Sequence, residues 1–249
     1  MRILVVGSGG VGDAFARIAV QRDFFELLVM SDFDEARAVA TVASATARRQ
    51  GERRLVAAKV DASSSQSVAA LAREHSITHV LNAVDPRFVM SVFQGAFAAG
   101  ADYLDMAMSL SVPHPDRPYA EPGVKLGDDQ FAAAQQWESA GRLALVGIGV
   151  EPGLSDVFAR YAADHLFSEI DELGTRDGAN LVVRNDQGEE IFAPSFSIWT
   201  TIEECLNPPV VWEKDKGWFT TAPFSEPEVF DFPEGIGQVE CVNVEHEEV

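Results

Sequence analysis

Short, continuous apolar runs alternate with stretches of helical periodicity through the first 150 residues. The runs are Ile3–Val6, Leu27–Met30, Leu55–Val60, Thr78–Val84, Ala101–Met106 and Leu143–Ile148. A helix between the first two spans Val11 to Gln21, with Val11, Phe15, Ile18 and Ala19 as its expected buried stripe. Asp34 opens a second, Ala-rich helix that ends at Arg48-Arg49, and Ser63-Ser64-Ser65 offer caps for a third running to His75. Arg87–Ala99, closed by Gly100, and Asp128–Ala140 complete the set. Strands that are apolar along their whole length are buried on both faces, and strand–helix alternation implies a parallel sheet with helices on each side.

The rhythm breaks twice. Ser111–Gly127 holds Pro113, Pro115, Pro118 and Pro122, and a loop this long serves either as a binding lid or as a plain surface excursion. From Asp171 the pattern becomes turns and short strands. Arg176–Asn180 reads as a turn, and Asn185–Gly188 joins two strands, Leu181–Val183 and Glu190–Phe192, in a hairpin. Ser197–Leu206 reads as a helix, and Val210–Trp212, Trp218–Thr221 and Val229–Phe232 as antiparallel strands. The predicted fold is α/β. A Rossmann-like parallel sheet domain covers 1–150, and an α+β substrate or dimerisation domain with a mainly antiparallel sheet covers 151–249. The last residues read as a strand and an unfinished polar stretch, so a fragment of a longer protein is expected.

The turn after the first strand is Gly7-Ser8-Gly9-Gly10-Val11-Gly12, and Asp32 closes the second strand. Strand, glycine-rich turn, helix, strand and acid together form the dinucleotide-binding fingerprint. Gly7 permits the tight turn, Gly9 lets a pyrophosphate approach the backbone, and Gly12 lets helix and strand pack closely. The amides opening the helix face the phosphates, and Asp32 accepts from the ribose hydroxyls. The acid favours NAD, while Arg22 or Arg37 leaves NADP possible.

A net charge of −20 leaves no basic surface for nucleic acid. No apolar run is long enough for a bilayer, and Cys205 and Cys241 match no metal spacing. A cytoplasmic protein with a small-molecule substrate, no metal and no membrane or nucleic-acid partner is expected, as a homodimer. His75, His79, His114, His165 and His246 are scattered and read as structural.

The ends of the later strands carry the remaining candidates, because ligands of open α/β sheets bind beyond the carboxyl ends of the strands. Asp61 touches the adenine side or caps a helix. Asn82 and Ala83 lie on the path to the nicotinamide, and Asp85 there is an alternative cap. Asp105 binds a substrate ammonium group or serves as a salt bridge or cap. Glu151-Pro152-Gly153 opens a helix whose free amides suit a carboxylate or the carboxamide, or is a simple connection; Pro152 suits a first helical turn.

GSGGVG (Gly7–Gly12), NAVDP (Asn82–Pro86), YLDMA (Tyr103–Ala107) and GVEPGLSD (Gly149–Asp156) resemble the saccharopine dehydrogenase (saccharopine reductase-like) family. FSIWTTIEECLNPP (Phe196–Pro209) and FDFPEGIG (Phe230–Gly237) extend the likeness along the chain. The resemblance implies a Rossmann domain with a late-inserted substrate domain, interconversion of amine and imine with NAD(P), and an amino-acid or polyamine-like substrate. It makes Asp105 and Glu151–Gly153 substrate-side candidates, with Asp105 and Glu151 at the reacting end and Arg176 meeting a carboxylate. The family often has Asp-Pro-Gly where this chain has Glu151-Pro152-Gly153, so the carboxylate is displaced by a methylene. No general acid or base is identified. The competing reading is a non-catalytic nucleotide-binding regulator or assembly protein.

Overall fold

The computed structural model describes residues 1–178, 182–193 and 198–245. The expected turn and strand start at Ala179–Leu181, the helix start at Ser197, and His246 lie outside the described residues. The chain forms two compact units: Met1–Ser111 with Leu126–Gly153, and Val112–Lys125 with Leu154–Val249.

The first unit is built on β1 (Arg2–Val6), β2 (Leu27–Asp32), β3 (Leu55–Lys59), β4 (His79–Asn82), β5 (Asp102–Asp105) and β6 (Ala144–Leu145). They form one sheet in the order β3-β2-β1-β4-β5-β6, parallel throughout. Four helices cross between strands: α1 (Gly10–Ala19), α2 (Glu35–Thr46), α3 (Ser65–Glu74) and α4 (Val89–Ala99). Side chains alternate across a strand, so β1 feeds two cores. Ile3 and Val5 pack with Ala16, Ala19 and Val20 near α1 and with Ala45 of α2. Leu4 and Val6 pack with Val68 and Leu71 of α3 and with Val92, Phe93 and Ala96 of α4. Each fully buried Leu or Val side chain contributes about 1.5–3 kcal/mol, which is why the strands read as unbroken apolar runs.

Local signals act where the sequence places them. Asp34 accepts from Ala36 N at 3.1 Å to cap α2, and Ser64 accepts from Ser67 N at 3.2 Å to cap α3. Gly100 closes α4 in the left-handed region at φ 72°.

Three expectations need correction. The buried face of α1 is Gly12, Ala16 and Ala19, while Val11 and Ile18 are 44% and 63% exposed. Small residues face the sheet because Gly12 brings the helix against β1, leaving no room for larger ones. The helix expected at 128–140 is two pieces, α5 (Asp128–Phe131) and α6 (Ala134–Ser139); between them Ala133 N bonds Gln130 O three residues back at 3.1 Å. β6 stops at Leu145 because Gly147 N is drawn to the Asp105 carboxylate at 2.7 Å.

The second unit holds α7 (Leu154–His165), α8 (Ile198–Leu206) and three antiparallel hairpins. These are β7 (Val183–Arg184) with β8 (Glu190–Ile191), β9 (Val210–Glu213) with β10 (Gly217–Thr220), and β11 (Ser225–Phe232) with β12 (Gly237–Asn243). Among the described residues they are separate two-stranded ladders rather than one sheet. The Pro-rich segment belongs here too: Val112 pairs with Val124, and Pro118 O accepts from Thr220 Oγ1 at 2.8 Å.

Candidate functional site

The carboxyl end of β1 turns sharply at Gly7, whose φ is +105°. A Cβ there would lie 2.4 Å from Ala83 O, and one on Gly12 would lie 2.0 Å from Gly7 O. Turn, helix start and the end of β4 are thus pressed into one block that admits no side chain at either position. At Gly9, by contrast, a Cβ would meet nothing within 4 Å, so the backbone faces open space. No side chain caps α1, and its internal ladder begins with Asp13 N donating to Gly9 O at 2.9 Å. The amides of Gly10, Val11 and Gly12 precede that ladder, at the positive end of the helix dipole.

Asp32 is 6% exposed. Its Oδ2 accepts from Ser8 N and its Oδ1 from Asp34 N, both at 3.0 Å, while Ser8 Oγ donates to Ser31 O at 3.2 Å. The carboxylate therefore ties the glycine loop to the end of β2. Bare backbone, oriented amides and an adjoining carboxylate fit a dinucleotide: phosphate at α1, adenosine ribose at Asp32.

The other cofactor-side residues have different neighbours. Asp61 is exposed and accepts from Ser63 N at 2.9 Å and Ser63 Oγ at 2.6 Å, which holds its carboxyl below the usual range. It does not cap the helix; Ser64 does. Asn82 is buried, donating through Nδ2 to the Tyr103 hydroxyl at 3.0 Å and accepting from Val84 N at 3.2 Å. Asp85 caps the turn at Pro86–Phe88, and its bonds to Arg87 lower its pKa. Arg22 is misplaced for a ribose phosphate. Arg49 and Arg54 hold its carbonyl at 3.2 and 3.0 Å, beside the amino ends of β2 and β3, whereas the glycine loop lies at the carboxyl edge. Arg37, in the first turn of α2, remains at the correct edge, near Asp34 at 3.9 Å and over the Phe33 ring.

Asp105 does not face an open crevice. It lies 1% exposed on the same strand face as Tyr103, which packs edge-on against Phe93 at 5.1 Å. Its Oδ2 accepts from Tyr103 Oη and Gln130 Nε2, both at 2.8 Å, and its Oδ1 from Gly147 N at 2.7 Å. Gln130 Oε1 accepts from Ser109 N at 2.8 Å. Burial holds the Asp105 carboxyl above its ordinary value, and these three donors offset only part of that rise; the Tyr103 hydroxyl is raised well above its ordinary value by burial, then by the Asp105 charge. One acid thus joins the ends of β4, β5 and β6.

After β6 the backbone folds tightly, with Gly149 bridged to Gly153. Gly153 has φ +125°, which no helix contains, so α7 starts only at Leu154 and Pro152 lies outside its first turn. Pro152 is buried; Glu151 and Gly153 are half-buried. Arg176 belongs to the second unit, where it bonds Glu228 at 2.5 Å and Glu172 at 3.4 Å and covers the Phe230 ring. Sequence reasoning missed Tyr103 and Gln130 as site residues. The available signals were the two-residue spacing of Tyr103 and Asp105, which share a strand face, and an amide in a short helix after the loop. Among the described residues no group of three His, Cys, Asp or Glu side chains is placed to hold a metal, and no helix is long and apolar enough to cross a membrane.

Residues 3–145 match the family described as the saccharopine dehydrogenase NADP binding domain. The chain belongs to this family. Its first unit is accordingly an NAD(P)-binding domain. A carboxynorspermidine synthase of Vibrio alginolyticus is 28% identical over 257 residues, covering 100% of this chain and 58% of its own length. A carboxyaminopropylagmatine dehydrogenase of Synechocystis sp. is 27% identical over 251 residues, covering 100% of this chain and 57% of its own length. The chain therefore spans less than two thirds of these curated relatives. The apo saccharopine dehydrogenase (L-Glu forming) of Saccharomyces cerevisiae shares the fold. It matches with a TM-score of 0.60 at 14% identity, over 99% of this chain and 50% of that one.

Proposed function

We infer that this saccharopine dehydrogenase family chain carries the NAD(P) site and part of the substrate site of an oxidoreductase. The reaction is interconversion of a secondary amine and an imine at a carbon–nitrogen bond. The observation that carries the reading is the Gly7–Gly12 loop tied to Asp32 in a six-stranded sheet of the dinucleotide-binding order. The relatives named for carboxynorspermidine and carboxyaminopropylagmatine match along the whole chain, which favours a carboxylated polyamine as substrate.

The amides of Gly10, Val11 and Gly12 hold the pyrophosphate, and Asp32 accepts from the ribose hydroxyls. A carboxylate there repels a 2′-phosphate, so NAD is the preferred partner, with Arg37 the residue that would meet NADP. When bound, the nicotinamide supplies a hydride to an imine carbon or takes one from the amine. Glu151, in the turn after β6, meets the cationic nitrogen of the substrate, with Pro152 and Gly153 fixing that turn. Within the second unit, Arg176 is the candidate for a substrate carboxylate, which would take the place of Glu228. Asp105 lies too deep to touch substrate and acts beneath the site.

The test is amine-dependent reduction of NAD(P)⁺ with carboxylated polyamines and with saccharopine. Turnover is expected with the former. Glu151→Gln is expected to lower kcat/KM by about tenfold or more while cofactor affinity is kept. Cofactor binding without oxidation of any secondary amine would instead favour the non-catalytic nucleotide-binding reading.

A further inference from the structure

The Asp105 carboxylate has three donors, all neutral: the side-chain groups Tyr103 Oη and Gln130 Nε2 and the backbone amide Gly147 N. None can accept from Asp105 without leaving a buried proton unpartnered. Gly147 offers only an N–H. The Gln130 carbonyl is committed to Ser109 N, which leaves its amide nitrogen for Asp105. The Tyr103 oxygen already accepts from Asn82 Nδ2, so its proton goes to Asp105. A protonated carboxyl would need an acceptor where the pocket presents donors only, so the arrangement is built for the anion. Among the described residues, no Lys, Arg or His forms an ion pair with it. A whole negative charge is therefore buried with hydrogen bonds but without a countercharge.

Its place in the sheet gives that charge a use. In the order β3-β2-β1-β4-β5-β6, the β1–β3 half serves the adenosine and the β4–β6 half the nicotinamide mononucleotide. Asp105 ends β5, the middle strand of the nicotinamide half. The segments it anchors, at Asn82, Ser109 and Gly147, lie at the carboxyl edge where ligands of such sheets bind. Oxidised nicotinamide carries a positive ring charge that reduction removes, and buried charges are screened little by salt.

We propose that Asp105 is a buried anion that makes this site favour the oxidised, cationic nicotinamide over the reduced one without touching either. The inference rests on the NAD(P)-binding reading of the first unit. For an assumed separation of about 10 Å and an effective dielectric of about 20–40, one charge would shift the ratio of oxidised to reduced affinity about four- to fifteen-fold. The same field favours a cationic substrate nitrogen beside the ring. Asp105 is thus a positioning residue: it holds Gly147 directly, is linked to Asn82 through Tyr103 and to Ser109 through Gln130, and polarises the space above them.

The experiment compares Kd for NAD⁺ and NADH, and for ADP-ribose, in the wild type and in Asp105→Asn. Calorimetry reads NAD⁺ and ADP-ribose, and fluorescence reads NADH. The ratio Kd(NAD⁺)/Kd(NADH) is expected to rise about four- to fifteen-fold, with ADP-ribose affinity unchanged. Tyr103→Phe removes a donor but keeps the anion, so its ratio is expected to stay at the wild-type value. Should Asp105→Asn not fold, Gln130→Lys places a cation on the carboxylate and is expected to raise the ratio in the same sense. An unchanged ratio in the folded neutralising variant, or an equal rise in Tyr103→Phe, overturns the proposal while leaving the cofactor reading intact. A wild type that binds neither nucleotide nor ADP-ribose overturns both.

Discussion

Alanine at Gly12 should cost the fold first and alanine at Gly9 chiefly the cofactor, although the two positions lie three residues apart in one loop. At Gly12 the new Cβ would sit 2.0 Å from Gly7 O and 3.5 Å from Val5 Cγ1. A carbon needs more than 3 Å from a carbonyl oxygen, so α1 must move out by about 1 Å or more along a face that is close-packed. Overpacking of this kind costs about 2–3 kcal/mol, a fall in Tm of about 4–12 °C for a chain of this size. The shift also moves the amides of Gly10 and Val11, so cofactor affinity falls too. At Gly9 the backbone is φ −78°, ψ −160°, which any residue adopts, and the Cβ enters open space. The fold loses no more than about 1 kcal/mol there, from a poorer helix cap. The methyl group stands where the pyrophosphate approaches, so dinucleotide affinity should drop at least about tenfold, or about 1.4 kcal/mol. Urea denaturation and an NADH titration of both variants separate the cases. Wild-type affinity in a folded Gly9→Ala protein would refute the phosphate role of the loop. Wild-type stability in Gly12→Ala would refute the packing argument.

Other predictions concern acid stability, cofactor choice and the core. Arg54 and two backbone amides hold the Glu52 carboxyl down at about 2, against an ordinary value of 4.5. Since the folded value is the lower one, its stabilisation is present above pH 4.5 and is lost as pH falls towards 2. Glu52→Gln should lower the urea midpoint at pH 7 by the equivalent of about 1–2 kcal/mol, and the difference should shrink in acid. Arg37→Ala should weaken NADPH and spare NADH, whereas Arg22→Ala should change neither; competition titrations decide this. Trp137 is buried against Phe93 at 4.7 Å and Phe97 at 5.1 Å. Trp137→Ala should cost about 3–5 kcal/mol in chemical denaturation.

The parallel sheet was legible because buried strands must be apolar along their length, and the cofactor loop because few residues can occupy Gly7 and Gly12. What was not legible depended on close backbone approaches and on partners that local pattern does not encode. The inward face of α1 is set by how closely Gly12 approaches Gly7, which helical periodicity does not encode, so periodicity alone puts Val11 and Ile18 inside. Asp105 was expected in a crevice because strand-end acids often bind ligands. Its burial depends on Gln130, 25 residues later, and on Gly147, 42 residues later. Those contacts also ended β6 early. The helix start was expected at Pro152 from local preference alone, but Gly153 at φ +125° delays it to Leu154. Arg176 had a suitable charge, and its two carboxylate partners came from elsewhere in the second unit. The hairpin at Asn185–Gly188 was readable from its turn residues, but the division of the described strands into separate two-stranded ladders was not.

The most direct test of the account is a pair of fluorescence titrations of the protein, one with NADH and one with NADPH. The account predicts saturable binding of both, tighter for NADH, and loss of that preference in Asp32→Ala. Binding of neither nucleotide would contradict the assignment of Gly7–Gly12 and Asp32 as a dinucleotide site.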